Sequence, residues 1–175
     1  MEKGYIQIYT GESKGKTTAA MGLAIRAAGS GLKVCIVQFL KAWKTSELNS
    51  LEKIDNIDVF RFQTIKKFTW ELNESERKQI EEETKKAYNF ILNVFKEKKY
   101  DVVIVDEIMG ALGAKLLTEQ EVLELMDKKP DTVELVMTGR YPTEAIINKA
   151  DLVTEMNVVK HYFNEGVQAR LGIEF

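Results

Sequence analysis

The stretch Thr10-Gly-Glu-Ser-Lys-Gly-Lys-Thr-Thr18 carries the residues best suited to chemistry. Triphosphate oxygens need several backbone N–H donors converging on one point together with positive charge. A glycine-containing loop that feeds a helix N-terminus supplies both. Gly15 allows close backbone approach, Lys16 reaches phosphate oxygens as a point charge, and the Thr17 hydroxyl is placed to ligate a magnesium ion bridging them. Lys14 adds a further cation. The pattern G-x-x-x-x-G-K-[ST] asks for glycine where this chain has Thr10, and a glycine arrives one place later at Gly11. The loop is therefore a variant. The rival reading, a chance GKT at a surface turn, is disfavoured by context, because an apolar run precedes the loop and an alanine-rich one follows it.

A second element with chemical potential is Val102-Val-Ile-Val-Asp106-Glu107, two carboxylates at the end of a buried-strand pattern. In open α/β sheets ligands gather at the carboxyl ends of the strands, so Asp106 and Glu107 are expected beside the loop, holding a metal or its waters. The plainer reading makes Asp106 the cap of a helix running from Ile108 to Leu116.

These groups must be held by a scaffold, and the chain alternates short apolar runs with longer amphipathic ones. Five runs read as buried strands: Tyr5 to Tyr9, Lys33 to Phe39, Val59 to Gln63, Val102 to Val105 and Val133 to Met137. Leu152 to Met156 is a candidate sixth. Lys16 to Ala28 reads as the first helix, closed by Gly29 and Gly31. The longest helix is expected from about Asn73 to Lys98, with Ile80, Thr84, Ala87, Tyr88, Ile91, Leu92 and Phe95 on one face and Asn73 with Glu76 at its start. Thr118 with Glu121 marks another helix start, and Pro142 a further one. The alternation implies an α/β fold with a parallel sheet covered on both faces.

The 175 residues, with 45% hydrophobic content and no linker or repeat, match one domain spanning 1–175. With 25 basic against 27 acidic residues the net charge is −2, so no cationic field advertises nucleic acid or an anionic membrane. The single Cys35 cannot form an internal disulfide or a multi-cysteine zinc site, and the opening MEKGYIQIY lacks the apolar run of a signal peptide. A cytoplasmic location, with no membrane partner, is the expectation. Cys35 reads as a small buried group, His161 as no metal site by itself, and Lys96 to Lys99 as a solvated helix end.

A nucleotide loop does not name a reaction. Asn148-Lys-Ala-Asp151 spells the N-K-x-D pattern that reads guanine in a GTPase, but it falls at the tail of the helix begun by Pro142 rather than at a strand end. No D-x-x-G follows Asp106. ATP hydrolysis, with Glu107 polarising water, and phosphoryl transfer by a small nucleoside kinase are also compatible with such a loop.

Considered together, the blocks resemble the P-loop class of ATP:corrinoid adenosyltransferases over nearly the whole chain. The family's loop is typically T-G-N-G-K-G-K-T-T-A-A, and Thr10 to Ala20 reads TGESKGKTTAA. Gln38-Phe-Leu-Lys41, Phe68-Thr-Trp70, Val105-Asp-Glu107, Thr138-Gly-Arg140, Ala150 to Met156 and Gly166 to Glu174 are similar to further family blocks. Glu12 and Ser13 depart from the pattern, as does Tyr141 where glycine is usual, and Glu12 should weaken an anion site unless it points outward. Only four residues precede Tyr5, so a lid formed by an N-terminal segment is not expected.

The resemblance implies a three-layer, P-loop NTPase-like (RecA-like) fold with a mostly parallel central sheet. It also implies transfer of the 5′-deoxyadenosyl group of ATP to the Co(I) of a corrinoid, with triphosphate leaving. Thr10, Gly11, Glu12, Ser13, Lys14, Gly15, Lys16, Thr17, Thr18 and Arg26 would contact ATP, and Thr17, Asp106 and Glu107 would hold Mg2+. Lys16 and Thr17 would neutralise the leaving group. Phe68 and Trp70 would cover the lower face of the corrin, displacing its axial ligand so that Co(II) is more easily reduced. A reduced flavoprotein as electron donor and a homodimer are further implications, and His161 to Phe163 would line the corrinoid in a weaker version of the same reading.

Overall fold

The computed structural model describes residues 2–43, 45–67 and 69–175. In chain order the elements are β1 (Ile6–Thr10), α1 (Lys16–Gly29), β2 (Val34–Gln38), α2 (Leu48–Leu51), β3 (Ile57–Arg61), α3 (Glu74–Glu97) and β4 (Val102–Asp106). They continue with α4 (Ile108–Gly113), α5 (Glu119–Lys128), β5 (Glu134–Thr138), α6 (Glu144–Lys149) and β6 (Leu152–Glu155). Short 3₁₀ turns occupy Thr69–Glu71 and Tyr162–Glu165.

All strand pairs are parallel, in the order β3-β2-β4-β5-β1-β6. Strand β5 lies between the strand that leads into the phosphate loop and the strand that ends at Asp106. The sheet is buried on both faces because residues on either side of each central strand are apolar. Val34, Ile36, Val102, Ile104 and Val136 pack under α1. There Ala20, Ala24, Ala27 and Ala28 allow the helix to lie close to the sheet. On the opposite face Val37, Val103, Val105, Leu135 and Met137 meet Ile91, Phe95, Ile108, Leu125 and Ile146 from the other helices.

Helices α3 and α5 start as their sequences require. Asn73 accepts from the Glu76 N–H while the Glu76 carboxylate accepts from the Asn73 N–H, and Thr118 and Glu121 form the same reciprocal pair. Helix α6 begins one residue beyond Thr143, which caps it, so Pro142 precedes the cap instead of opening the helix.

The expected third strand, Val59 to Gln63, is displaced toward its N-terminus. Strand β3 is an edge strand paired with β2 from Ile57 to Arg61, and Asp58 is tolerated in it because the Tyr100 hydroxyl donates to its carboxylate at 2.7 Å. Phe60 within β3 and Phe62 just past its end both pack on Phe90 of α3, at ring-centroid distances of 4.4 and 5.4 Å, and the strand pairing stops at Arg61. The helix after Asp106 closes at Gly113, three residues short of the expected Leu116. Among the described residues no helix is long and apolar enough to cross a membrane.

Candidate functional site

Strand β1 delivers the chain to the phosphate loop, and the loop is fixed from the side by the segment that leaves β6. Gly11 (φ 102°) lies so close to Met156 that an added Cβ would sit 2.4 Å from the Met156 carbonyl oxygen. The Ser13 N–H donates to that same oxygen at 3.0 Å, and the Met156 N–H donates to the Thr10 carbonyl at 2.9 Å. Gly15 (φ 119°) then turns the chain into α1, whose first N–H groups have no acceptors within the helix. Lys16 is buried, and its ammonium donates to the carbonyl oxygens of Gly11 at 2.6 Å and Ser13 at 2.7 Å. One of its three donors remains for an anion. Burial lowers the Lys16 pKa, the Arg140 charge lowers it further, and Glu107 and Asp106 oppose both.

Asp106, at the end of β4, is completely buried. Its Oδ1 accepts from the hydroxyls of Thr17 at 2.9 Å and Thr138 at 2.7 Å. Its Oδ2 accepts from Gln38 Nε2 at 3.0 Å and Lys41 Nζ at 2.7 Å. Burial alone would raise this carboxyl, but the Lys41 ammonium and the hydroxyl bonds outweigh it and hold the pKa below the ordinary 3.8. Asp106 therefore stands as a carboxylate. It does not cap α4: Glu107 occupies that position in a left-handed conformation (φ 62°), with its N–H donated to Thr138 Oγ1 at 2.9 Å. For Glu107, burial and then the neighbouring Asp106 charge push the pKa up. The two adjacent acids are thus driven apart, one ionised and one drawn toward its neutral form.

Gln38, Lys41 and Thr138 join the site although no local motif assigns them a role there. The signal lies in their positions: Gln38 and Thr138 end the strands flanking β4, and Gln38 is in register with Asp106. The Gln38 Oε1 atom is buried without a hydrogen-bond partner.

The two departures in the loop region meet. The Tyr141 hydroxyl donates to Glu12 Oε1 at 3.0 Å, so the acid points outward, and Tyr141 itself takes the left-handed conformation (φ 59°) that glycine favours. Lys14 turns away from the loop toward Glu174, 3.3 Å distant, and the Tyr162 hydroxyl. Arg26 is exposed in the last turn of α1, ten residues past Lys16 and so about 15 Å along the helix axis, and is not brought beside the loop. Thr18 lines an open cavity with Thr17, Lys41, Thr45 and Ser46.

Phe68 lies outside the described residues. Trp70 is 78% exposed, and it borders a cavity of about 130 Å³ with Leu40, Trp43, Gln63, Ile65 and Ile80. Gln63 Oε1 is buried there without a partner. Leu40 and Lys41 join the two regions, since Leu40 lines the indole-walled cavity and Lys41 reaches Thr17 and Asp106.

Thr17 and Asp106 offer a hydroxyl and a carboxylate, hard oxygen donors that suit Mg2+ when phosphate and water complete its shell. Among the described residues no group of three or more His, Cys, Asp or Glu side chains could hold a metal. The remaining singled-out residues make local contacts. His161 Nδ1 accepts from the Phe163 N–H at 3.0 Å, and Cys35 is a buried strand residue whose thiol is pushed up to about 12 by burial. Asn148 is in α6, and Asp151 accepts from the Ile6 N–H at 2.8 Å, so the N-K-x-D stretch ties α6 to the sheet.

Solved structures share the fold. A KaiC-like protein from Pyrococcus horikoshii OT3 superposes with a TM-score of 0.58 over 89% of this chain and 72% of its own, at 17% identity. ATPases 2 and 3 of EssC from Geobacillus thermodenitrificans give 0.51 over 97% of this chain and 35% of theirs, at 16% identity. Curated relatives are closer in sequence. A corrinoid adenosyltransferase from Sinorhizobium is 38% identical, covering 99% of this chain and 81% of that one. The Escherichia coli K12 corrinoid adenosyltransferase is 34% identical, covering 99% and 87%. The model of the ATP:corrinoid adenosyltransferase family BtuR/CobO/CobP matches residues 2–175. With a phosphate loop feeding α1, a buried acid beside it and this likeness over nearly all its length, the chain belongs to the ATP:corrinoid adenosyltransferases, a family of transferases.

Proposed function

We propose that this protein transfers the 5′-deoxyadenosyl group of ATP to the Co(I) centre of a reduced corrinoid and releases triphosphate. The observation that carries the reading is the Leu40–Lys41 pair, in which Leu40 lines the cavity bordered by Trp43 and Trp70 while Lys41 reaches Thr17 of the loop and Asp106. The exposed Trp70 indole offers an aromatic surface for a flat macrocycle, and the glycine loop with Lys16 suits a polyphosphate.

In the reaction the Co(I) electron pair becomes the new bond to the ribose C5′ while the C5′–O bond breaks, and the triphosphate leaves with the electron pair of the broken C5′–O bond. No side-chain nucleophile or base is required. The protein's work is to hold the polyphosphate by the loop amides and Lys16, to keep C5′ open to cobalt in line, and to stabilise charge on the departing oxygens. Mg2+, held by Thr17 and Asp106, would supply added neutralisation of that charge. Glu107, adjacent and raised in pKa, is a further residue on this face. Phe68 and Trp70 are assigned to the corrin face by family resemblance. Trp70 is exposed, as such a role needs. The resemblance also supplies a reduced flavoprotein as the electron donor, a homodimer as the working unit and the cytoplasm as its place.

The test mixes the protein with ATP, magnesium and chemically reduced cobalamin. Appearance of a light-sensitive alkyl-cobalt product with stoichiometric triphosphate supports the proposal. Orthophosphate with ADP, and no cobalt–carbon bond, refutes it in favour of an ATPase. Trp70→Ala is expected to leave ATP affinity intact and to abolish the spectrum of four-coordinate Co(II), and an unchanged spectrum would remove Trp70 from the corrin face.

A further inference from the structure

The Lys41 ammonium bridges the same two side chains that suit a divalent cation: it lies 2.7 Å from Asp106 Oδ2 and 3.3 Å from Thr17 Oγ1. A magnesium-class ion takes oxygen ligands at about 2.1 Å, so an ion bound to both side chains and the bridging ammonium would occupy the same space with like charge. We infer that Lys41 and a divalent cation are mutually exclusive occupants of the Thr17–Asp106 pair, with Lys41 as the counter-ion of Asp106 whenever the metal is not bound to that pair.

The need for a resident cation follows from burial. Asp106 is completely enclosed, and its other three partners, Thr17, Thr138 and Gln38, are neutral donors. Hydrogen bonds from neutral groups leave a net negative charge away from water, and such a charge is costly without a cation. Lys41 supplies one.

The same structure permits its departure. The backbone is anchored in the two residues that lead into Lys41. The Phe39 N–H donates to the Asp106 carbonyl at 2.9 Å, and Leu40 holds a left-handed conformation (φ 54°) with its side chain in the apolar cavity. The Lys41 side chain is 20% exposed and borders an open cavity of about 470 Å³ with Thr17, Thr18, Thr45, Ser46 and Ile173. A rotation about the side-chain bonds takes the ammonium off Asp106 without moving the backbone. Because the cavity adjoins the loop, a displaced ammonium stays near bound phosphate. Metal entry then exchanges one charge at Asp106 for two and leaves the freed cation to the polyanion. The identification of the metal with the nucleotide's Mg2+ rests on the proposed function, whereas the exclusion itself does not.

The experiment uses the full chain without nucleotide or corrinoid, so failure of the adenosyl-transfer reading does not affect it. Mn2+ binding is titrated by electron paramagnetic resonance for wild type, Lys41→Met, Lys41→Gln, and each combined with Asp106→Asn. Removing Lys41 is expected to tighten Mn2+ binding on the order of tenfold or more, because the pair regains uncompensated charge, and Asp106→Asn should cancel the gain. Each Lys41 variant should also gain more in Tm than wild type at the same MnCl2 concentration. This readout serves even a destabilised variant, because the ion replaces the missing ammonium. Equal Mn2+ affinity in wild type and both variants overturns the inference, as does a tighter site that survives Asp106→Asn.

Discussion

Replacing Thr138 by valine preserves the side-chain shape and deletes one oxygen that serves two partners. Thr138 Oγ1 donates to Asp106 Oδ1 at 2.7 Å and accepts the Glu107 N–H at 2.9 Å, and the residue is completely buried. Losing a hydrogen bond to a charged group costs about 1.5–3 kcal/mol, and leaving a buried N–H unpaired costs about 1–3 kcal/mol. The two losses share one atom and do not simply add, so a destabilisation of about 3 kcal/mol is expected at pH 7. At about 2–4 °C per kcal/mol for a chain of this size, the Tm should fall by roughly 6–12 °C.

The pH dependence separates the two parts. Asp106 has a native pKa below 3.8, so its contribution is present above 3.8 and is lost as pH falls through the lower native value. Valine removes one of the bonds that depress it. The stability gap between wild type and variant should therefore narrow as the solution is acidified below pH 3.8, leaving the pH-independent cost of the orphaned Glu107 amide. Urea denaturation followed by circular dichroism across this range measures both terms, with Thr138→Ser as the rescue. A destabilisation below about 0.5 kcal/mol, the size of an ordinary surface change, would refute the bridge. So would a gap that does not narrow in acid.

Three other perturbations test the loop. Lys16→Ala should abolish measurable ATP binding in calorimetry with the fold intact by circular dichroism, because its ammonium hydrogen-bonds the loop carbonyls of Gly11 and Ser13 and not the core. Gly11→Ala should cost more than about 2 kcal/mol in chemical denaturation, since it places a Cβ against Met156 at a backbone angle L-residues avoid. Tyr141→Phe should weaken ATP several-fold by releasing Glu12 toward the anion site, and adding Glu12→Ala should restore the affinity. Calorimetry that finds no coupling between the last two changes would show that Glu12 is held outward by something else.

Much of the scaffold is legible in the sequence because its signals are local. Strand and helix runs follow from apolar spacing, and the starts of α3 and α5 follow from Asn73 with Glu76 and Thr118 with Glu121, partners only three residues apart. The phosphate loop is equally local, since a glycine turn, a lysine and a hydroxyl arrive within eight residues after β1. Edge strand β3 begins at Ile57, earlier than its aromatic run suggests, because its bounds follow the register with β2, which periodicity within one segment does not express.

By itself the sequence determined that a glycine–lysine turn would open α1 and that an acid would end β4. Only the tertiary structure decided what surrounds that acid. Gln38 ends β2, Lys41 lies three residues beyond it and Thr138 ends β5, and strand order alone brings them together around one buried carboxylate. Likewise Glu12 and Tyr141 are 129 residues apart, and each taken singly looks like a defect in its motif. The physical reason is that spacing along the chain encodes torsional and hydrophobic preferences, whereas the pairing of buried charge depends on which strand ends become neighbours once the sheet is assembled.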